Sequence, residues 1–111
     1  MFNFFKTKPK NYTDLSSEDF KKGMHDKDAV IIDVRTVSEF QSGKLKGARN
    51  IDIMGSGFMD KVQNLPKDKK YFIYCRSGSR SGQACELMAR MGFKNLNNMA
   101  GGIAKWPYEV A

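Results

Sequence analysis

Tyr71-Phe72-Ile73-Tyr74-Cys75-Arg76-Ser77-Gly78-Ser79-Arg80-Ser81 is the stretch on which the reading of this chain turns. Its first four residues, apolar or aromatic throughout, suit a strand. That strand delivers a cysteine to its C-terminal end. Further on, Ala84, Leu87, Met88 and Met91 recur at helical spacing, with Gly92 placed as a C-terminal stop. In an open α/β sheet, the loop between such a strand and helix lies on the edge where ligands bind. The intervening residues are small or basic, so the chain can curl with its backbone N–H groups inward. A nest of that kind, facing a helix N-terminus, stabilises anions. Arg76 and Arg80 add positive charge. All three influences favour thiolate over thiol, so Cys75 is expected to ionise below the ~8.5 of an unperturbed cysteine.

Cysteine often serves as a small core residue. Here two arginines, two serines and a glycine follow it at once and make burial costly. The chain's one histidine, His25, falls in a polar loop and is expected to be exposed. Activation is therefore assigned to the local field and backbone donors, not to a Cys–His pair.

Working outward, Ser16 caps a helix with Asp19 in its first turn and Phe20 and Met24 as its apolar stripe. Ala29-Val30-Ile31-Ile32-Asp33-Val34 is a continuous run suited to a strand covered on both faces. Thr36 and Glu39 repeat the capping pattern and open a short helix ending near Gly43. Asn50-Ile51-Asp52-Ile53 reads as a brief strand. Gly55-Ser56-Gly57 breaks the chain before a helix with Phe58, Met59, Val62 and Leu65 on one side, ended by Pro66. Leu96 to Met99 reads as a last strand before Gly101-Gly102. Strands alternating with helices imply an α/β domain around a mainly parallel sheet.

A chain of 111 residues fits one domain. Its 41% apolar and 28% charged residues argue against disorder. Residues 1–11 read as a basic tail and residues 12–111 as the folded domain. The net charge of +7 comes partly from Lys6, Lys8 and Lys10 in the tail and partly from Lys67, Lys69 and Lys70. No basic stripe with interleaved aromatics suggests nucleic acid as a partner, but the positive field favours small anionic substrates or acidic proteins. No apolar run approaches the ~20 residues of a membrane span, and the start does not resemble a secretory signal. Phe2, Phe4 and Phe5 read as a frayed or packed terminus. The expected compartment is the cytoplasm, with no membrane partner. Cys75 and Cys85 have no second pair or nearby histidine, so neither a metal site nor a disulfide scaffold is expected. No cofactor is indicated; Trp106 and the methionines read as core fillers.

Several stretches together resemble one family. Asp33-Val34-Arg35, then Glu39-Phe40, then Gly43-Lys44-Leu45-Lys46-Gly47-Ala48-Arg49-Asn50 are similar to the N-terminal half of a rhodanese domain. Cys75 to Ser81 resembles its active-site loop, and Gly101-Gly102 with Trp106 its closing segment. The likeness runs from about Thr13 to Trp106. It implies a five-stranded sheet flanked by helices on both faces. It also implies a cycle in which Cys75 takes sulfane sulfur from a donor, such as thiosulfate or a persulfide, and passes it to a nucleophilic acceptor. A small thiol or a thioredoxin-like protein is a candidate acceptor. Arg76, Ser77, Gly78, Ser79 and Arg80 would cradle the persulfide or donor anion. Asp33, Arg35, Glu39 and Asn50 read as structural. Lys44 stands where the family usually has histidine, outside the cysteine loop. Cys85 reads as a packing residue, with a resolving thiol as the sharper alternative.

Phosphatases and arsenate reductases of the same fold are the enzyme rival, but their loop is one residue longer between cysteine and arginine. A shorter ring suits a single sulfur atom better than a tetrahedral oxyanion. A non-catalytic or redox-sensing module is the other rival, and the cysteine's presence argues against it. A persulfide carrier dedicated to one partner would share the same sulfur chemistry.

Overall fold

The computed structural model describes residues 10–111. The tail lysines Lys6 and Lys8 and the rings of Phe2, Phe4 and Phe5 lie outside the described residues. In chain order the elements are β1 (Thr13–Leu15), α1 (Ser17–Met24), β2 (Ala29–Asp33), α2 (Val37–Gln41), β3 (Arg49–Asn50), α3 (Phe58–Gln63), β4 (Lys70–Tyr74), α4 (Ser79–Arg90) and β5 (Asn95–Met99). A 3₁₀ turn at Ile103–Lys105 follows. The five strands form one sheet in the order β1-β5-β4-β2-β3, and every neighbouring pair is parallel.

Period-two alternation along β4 divides the core. Tyr71, Ile73 and, just beyond the strand, Cys75 pack into one cluster with Phe58 and Val62 of α3 and Ala84, Cys85 and Met88 of α4. Phe72 and Tyr74 point the other way, into a cluster with Phe20 of α1, Leu45 and Met99. Phe20 meets the rings of Phe72, Tyr74 and Trp106 edge-on at centroid distances of 5.5, 6.4 and 6.2 Å. Helices thus cover both faces of the sheet, as its central strands require.

The two capping patterns read from the sequence are present. Ser16 Oγ accepts from the Asp19 N–H at 3.2 Å. Thr36 and Glu39 form a reciprocal capping box on α2. Gly92, with φ of +101°, follows the end of α4.

Four readings change. β1 was not expected: Thr13-Asp14-Leu15 is short and mostly polar, and it exists by pairing with β5 along the sheet edge. The brief strand lies at Arg49–Asn50, not Asn50–Ile53, because only Arg49 and Asn50 pair with β2. Met59 is 45% exposed and so leaves the apolar side assigned to it on α3. Met54 is 72% exposed and is no core filler. Among the described residues no helix is long and apolar enough to cross a membrane.

Candidate active site

β4 ends one residue before Cys75, and α4 begins four residues after it. Gly78 makes the turn between them, with φ of +101° in the left-handed region. This curl turns the loop back on its own cysteine. The Gly78 N–H donates to Cys75 Sγ at 3.1 Å, and the Ser81 hydroxyl lies 3.3 Å from the same sulfur. Contrary to the expectation that its polar neighbours would keep it from burial, Cys75 has no exposed surface, because Arg76, Ser77 and Ser79 stay outside while the cysteine turns inward. Burial alone pushes the thiol up. It is outweighed by the Ser81 hydroxyl and by the backbone N–H groups of Ser81, Gly78 and Ser77, so the thiol titrates below its ordinary value.

The loop is locked from behind by the segment after β5. Ile103 N–H donates to the Cys75 carbonyl at 2.9 Å, and Ala104 N–H to that of Arg76 at 3.0 Å. Contact is close enough to demand glycine on both sides. A Cβ on Gly78 would stand 2.3 Å from the Ala100 carbonyl oxygen, and one on Gly102 would stand 2.1 Å from that of Arg76. Asn98 of β5 donates to the Gly78 carbonyl at 3.2 Å and to Asp14 of β1 at 3.0 Å, tying the edge strand to the loop.

The polar residues flanking β2 hold the edge of the sheet beside this loop. Arg35 and Asp33 form a buried pair, with Nη2 to Oδ2 at 2.7 Å, and Nη2 also donates to the Gly43 carbonyl at 2.5 Å. Asn50 donates to the carbonyls of Asp33 and Arg35. Leu45 N–H donates to the Tyr74 hydroxyl at 3.0 Å, next to the cysteine.

Residues 16–109 match the family model described as rhodanese-like domain. The chain belongs to the rhodanese-like family. It is 32% identical over 94 residues to a sulfurtransferase of Allochromatium vinosum, covering 84% of this chain and 86% of that one. It is 36% identical over 85 residues to the putative sulfurtransferase YtwF of Bacillus subtilis, covering 77% and 80%. It also matches a tRNA uridine(34) hydroxylase of Streptococcus pneumoniae at 32% identity, covering 83% of this chain but 29% of that one. Among solved structures, a rhodanese-related protein from Thermoplasma volcanium superposes with a TM-score of 0.78 at 30% identity, covering 90% of this chain and 98% of that one.

Within this rhodanese-like domain, the loop residues singled out from the sequence take different places. Arg76, Ser77 and Ser79 are exposed, and Arg76 makes no ion pair among the described residues. Arg80 is committed elsewhere. Its Nη1 and Nη2 reach Glu39 Oε1 and Oε2 at 2.8 and 3.0 Å. Arg80, together with the capping contacts from Thr36, holds the Glu39 carboxyl down at about 2. Full positive charge from both arginines was expected to ionise Cys75. The donors at the sulfur that the loop was expected to supply are the leading favourable influence, while Arg80, within electrostatic reach of Cys75, is also paired with Glu39.

Two functional residues carry no signal in local sequence. Ser81 is one: only the first turn of α4 brings its hydroxyl back to a sulfur six positions earlier. Glu39 was read as structural, and nothing in local spacing pairs it with an arginine 41 positions away. Cys85 has no exposed surface, and burial pushes its thiol up to about 12, as suits a packing residue.

Proposed function

We propose that this protein is a sulfurtransferase that carries sulfane sulfur on Cys75. The observation that carries the reading is the sulfur at the end of β4, held by the Gly78 N–H and the Ser81 hydroxyl at 3.1 and 3.3 Å. Such donors favour a thiolate, which is the nucleophilic form of cysteine. With thiosulfate, the thiolate attacks the outer sulfur. The new bond joins Cys75 Sγ to that sulfur, the donor's S–S bond breaks, and sulfite leaves with the electron pair. An acceptor such as cyanide or a thiolate then attacks the terminal sulfur. The Sγ–S bond breaks, and Cys75 returns as thiolate. No net oxidant or reductant is needed for the first half of the cycle or for thiocyanate formation.

The backbone from Arg76 to Arg80 suits a terminal persulfide sulfur as a nest of N–H groups. A small anionic donor fits the positive field of a chain with net charge +7. A small thiol or a thioredoxin-like dithiol is the acceptor class proposed, and a reducing cytoplasm is the compartment in which a free thiolate survives. Intact mass spectrometry after exposure to thiosulfate, followed by desalting, tests the reading. The expected result is one added sulfur on the wild type and none on Cys75→Ser. An unchanged adduct on the variant, or appreciable aryl-phosphate hydrolysis by the wild type that Cys75→Ser abolishes, would overturn it.

A further inference from the structure

Arg80 and Glu39 meet as a two-pronged pair beside the cysteine loop, and both are only partly exposed. The geometry is well defined, because Glu39 is itself anchored. Its Oε1 accepts from the Thr36 N–H at 3.1 Å and the Thr36 hydroxyl at 3.2 Å. A guanidinium matched in this way to a carboxylate has its charge partly offset, although Cys75 still lies within electrostatic reach of Arg80. Asp52 also lies within electrostatic reach of Arg80. Arg76, exposed and without an ion pair among the described residues, is left as the loop's uncompensated cation.

We infer that Glu39 is a positioning residue that tunes the class of sulfur donor, by holding Arg80 in a charge-matched pair and so weakening the loop's preference for dianionic donors over persulfides. The inference rests on the sulfurtransferase reading above. Charge arithmetic decides it. Attack of the Cys75 thiolate on thiosulfate gathers three negative charges, which are conserved in the cysteine persulfide and the departing sulfite. Attack on the outer sulfur of a protonated thiol persulfide gathers one. There the new bond joins Cys75 Sγ to the outer sulfur, the donor's S–S bond breaks, and the thiolate leaves and takes the proton from the new persulfide. A free cation at Arg80 would therefore stabilise the first reaction far more than the second. Offsetting that cation narrows the difference.

The test is kcat/KM for thiosulfate and for cysteine persulfide, whose ammonium and carboxylate charges cancel, each with cyanide as acceptor, on the full chain. Glu39→Gln keeps an oxygen for the Thr36 cap while freeing the charge of Arg80. Arg80→Gln does the opposite and leaves the carboxylate of Glu39 bare. The thiosulfate-to-persulfide ratio should rise about tenfold in Glu39→Gln and fall about tenfold in Arg80→Gln, the size expected of one charge near the reacting sulfur. A merely structural pair would lower both donors together and leave the ratio unmoved. An unmoved ratio, or a shift of the same sign in both variants, would overturn the inference. If a Glu39 or Arg80 variant fails to fold, Arg80→Lys, which keeps the charge but loses the two-pronged match to Glu39, takes its place and should raise the ratio by a smaller factor; no rise there counts against the inference. Wild type that transfers sulfur from neither donor, or Cys75→Ser that transfers as well as wild type, would instead bring down the sulfurtransferase reading itself.

Discussion

Cys75 shows how a residue can be both buried and poised. Its side chain has no exposed surface, yet the loop behind it returns two hydrogen-bond donors to its sulfur. Of these, the Ser81 hydroxyl is the one that mutation can remove cleanly. A hydrogen bond to a charged group contributes about 1.5–3 kcal/mol, and one pKa unit corresponds to about 1.36 kcal/mol. Ser81→Ala should therefore raise the midpoint of pH-dependent alkylation of Cys75 by about one unit, measured in a Cys85→Ser background. The sign follows from the direction of the shift: a thiol held low loses thiolate at neutral pH when its donor goes. Arg76→Ala should move the midpoint much less, because an exposed charge is screened. A larger effect from Arg76 than from Ser81 would refute the donor account. Cys85 should prove dispensable for transfer. Buried among apolar neighbours and held protonated, it has neither the access nor the charge state of a reactive thiol. Cys85→Ala should keep most turnover with cyanide while costing about 1 kcal/mol of stability in denaturant titration. Cys75 was legible because a strand, a cysteine and a small basic loop are contiguous. Ser81 and Glu39 were not, since their roles depend on distances that chain order does not set.

At the scale of elements, the site is the meeting of two segments: the turn from β4 into α4, and the stretch from β5 into the 3₁₀ turn. Gly102 sits where they touch. Its φ of +66° already disfavours a side chain, and a Cβ would overlap the Arg76 carbonyl. Gly102→Ala should displace the loop, cost about 3 kcal/mol or more, and abolish most sulfur transfer. Ser16→Ala makes a useful contrast. It removes only the contact between Ser16 Oγ and the Asp19 N–H, none of the hydrogen bonds at the cysteine, and should cost about 1 kcal/mol with turnover intact. Thermal unfolding alongside transfer assays separates the two cases. Comparable losses of turnover in both variants would show that activity follows stability, not the fit of these two segments. Most elements were readable locally, since caps, apolar stripes and β-branched runs carry their own signals. β1 was not, because Thr13-Asp14-Leu15 has no strand pattern of its own and becomes one by pairing with Asn97, Asn98 and Met99. β5 is comparably weak, with three asparagines in five residues, and is held between β4 and β1.

For the whole molecule, the pair between α2 and α4 links stability to acid. Glu39 titrates at about 2 in the fold, well below its ordinary range. A depressed carboxyl stabilises the folded state above its unfolded pKa of about 4.3 and loses that contribution as pH falls toward 2. Wild type should accordingly melt about 4 °C above Glu39→Gln near pH 6, the shift expected for a partly exposed pair of about 1 kcal/mol. The gap should close as pH falls from about 5 to 2. A gap that stays constant over that range would mean the pair contributes through packing, not charge. The net charge of +7, the α/β order and the cysteine at a strand end follow from the sequence alone, because composition, hydrophobic period and contiguous motifs are properties of neighbours in the chain. The parallel order β1-β5-β4-β2-β3, the division of β4 between two cores, and the pairing of Arg80 with Glu39 were decided only by tertiary structure. Each joins residues far apart in sequence, and what brings them together is the burial of both sheet faces and the pairing of charges that packing has placed side by side.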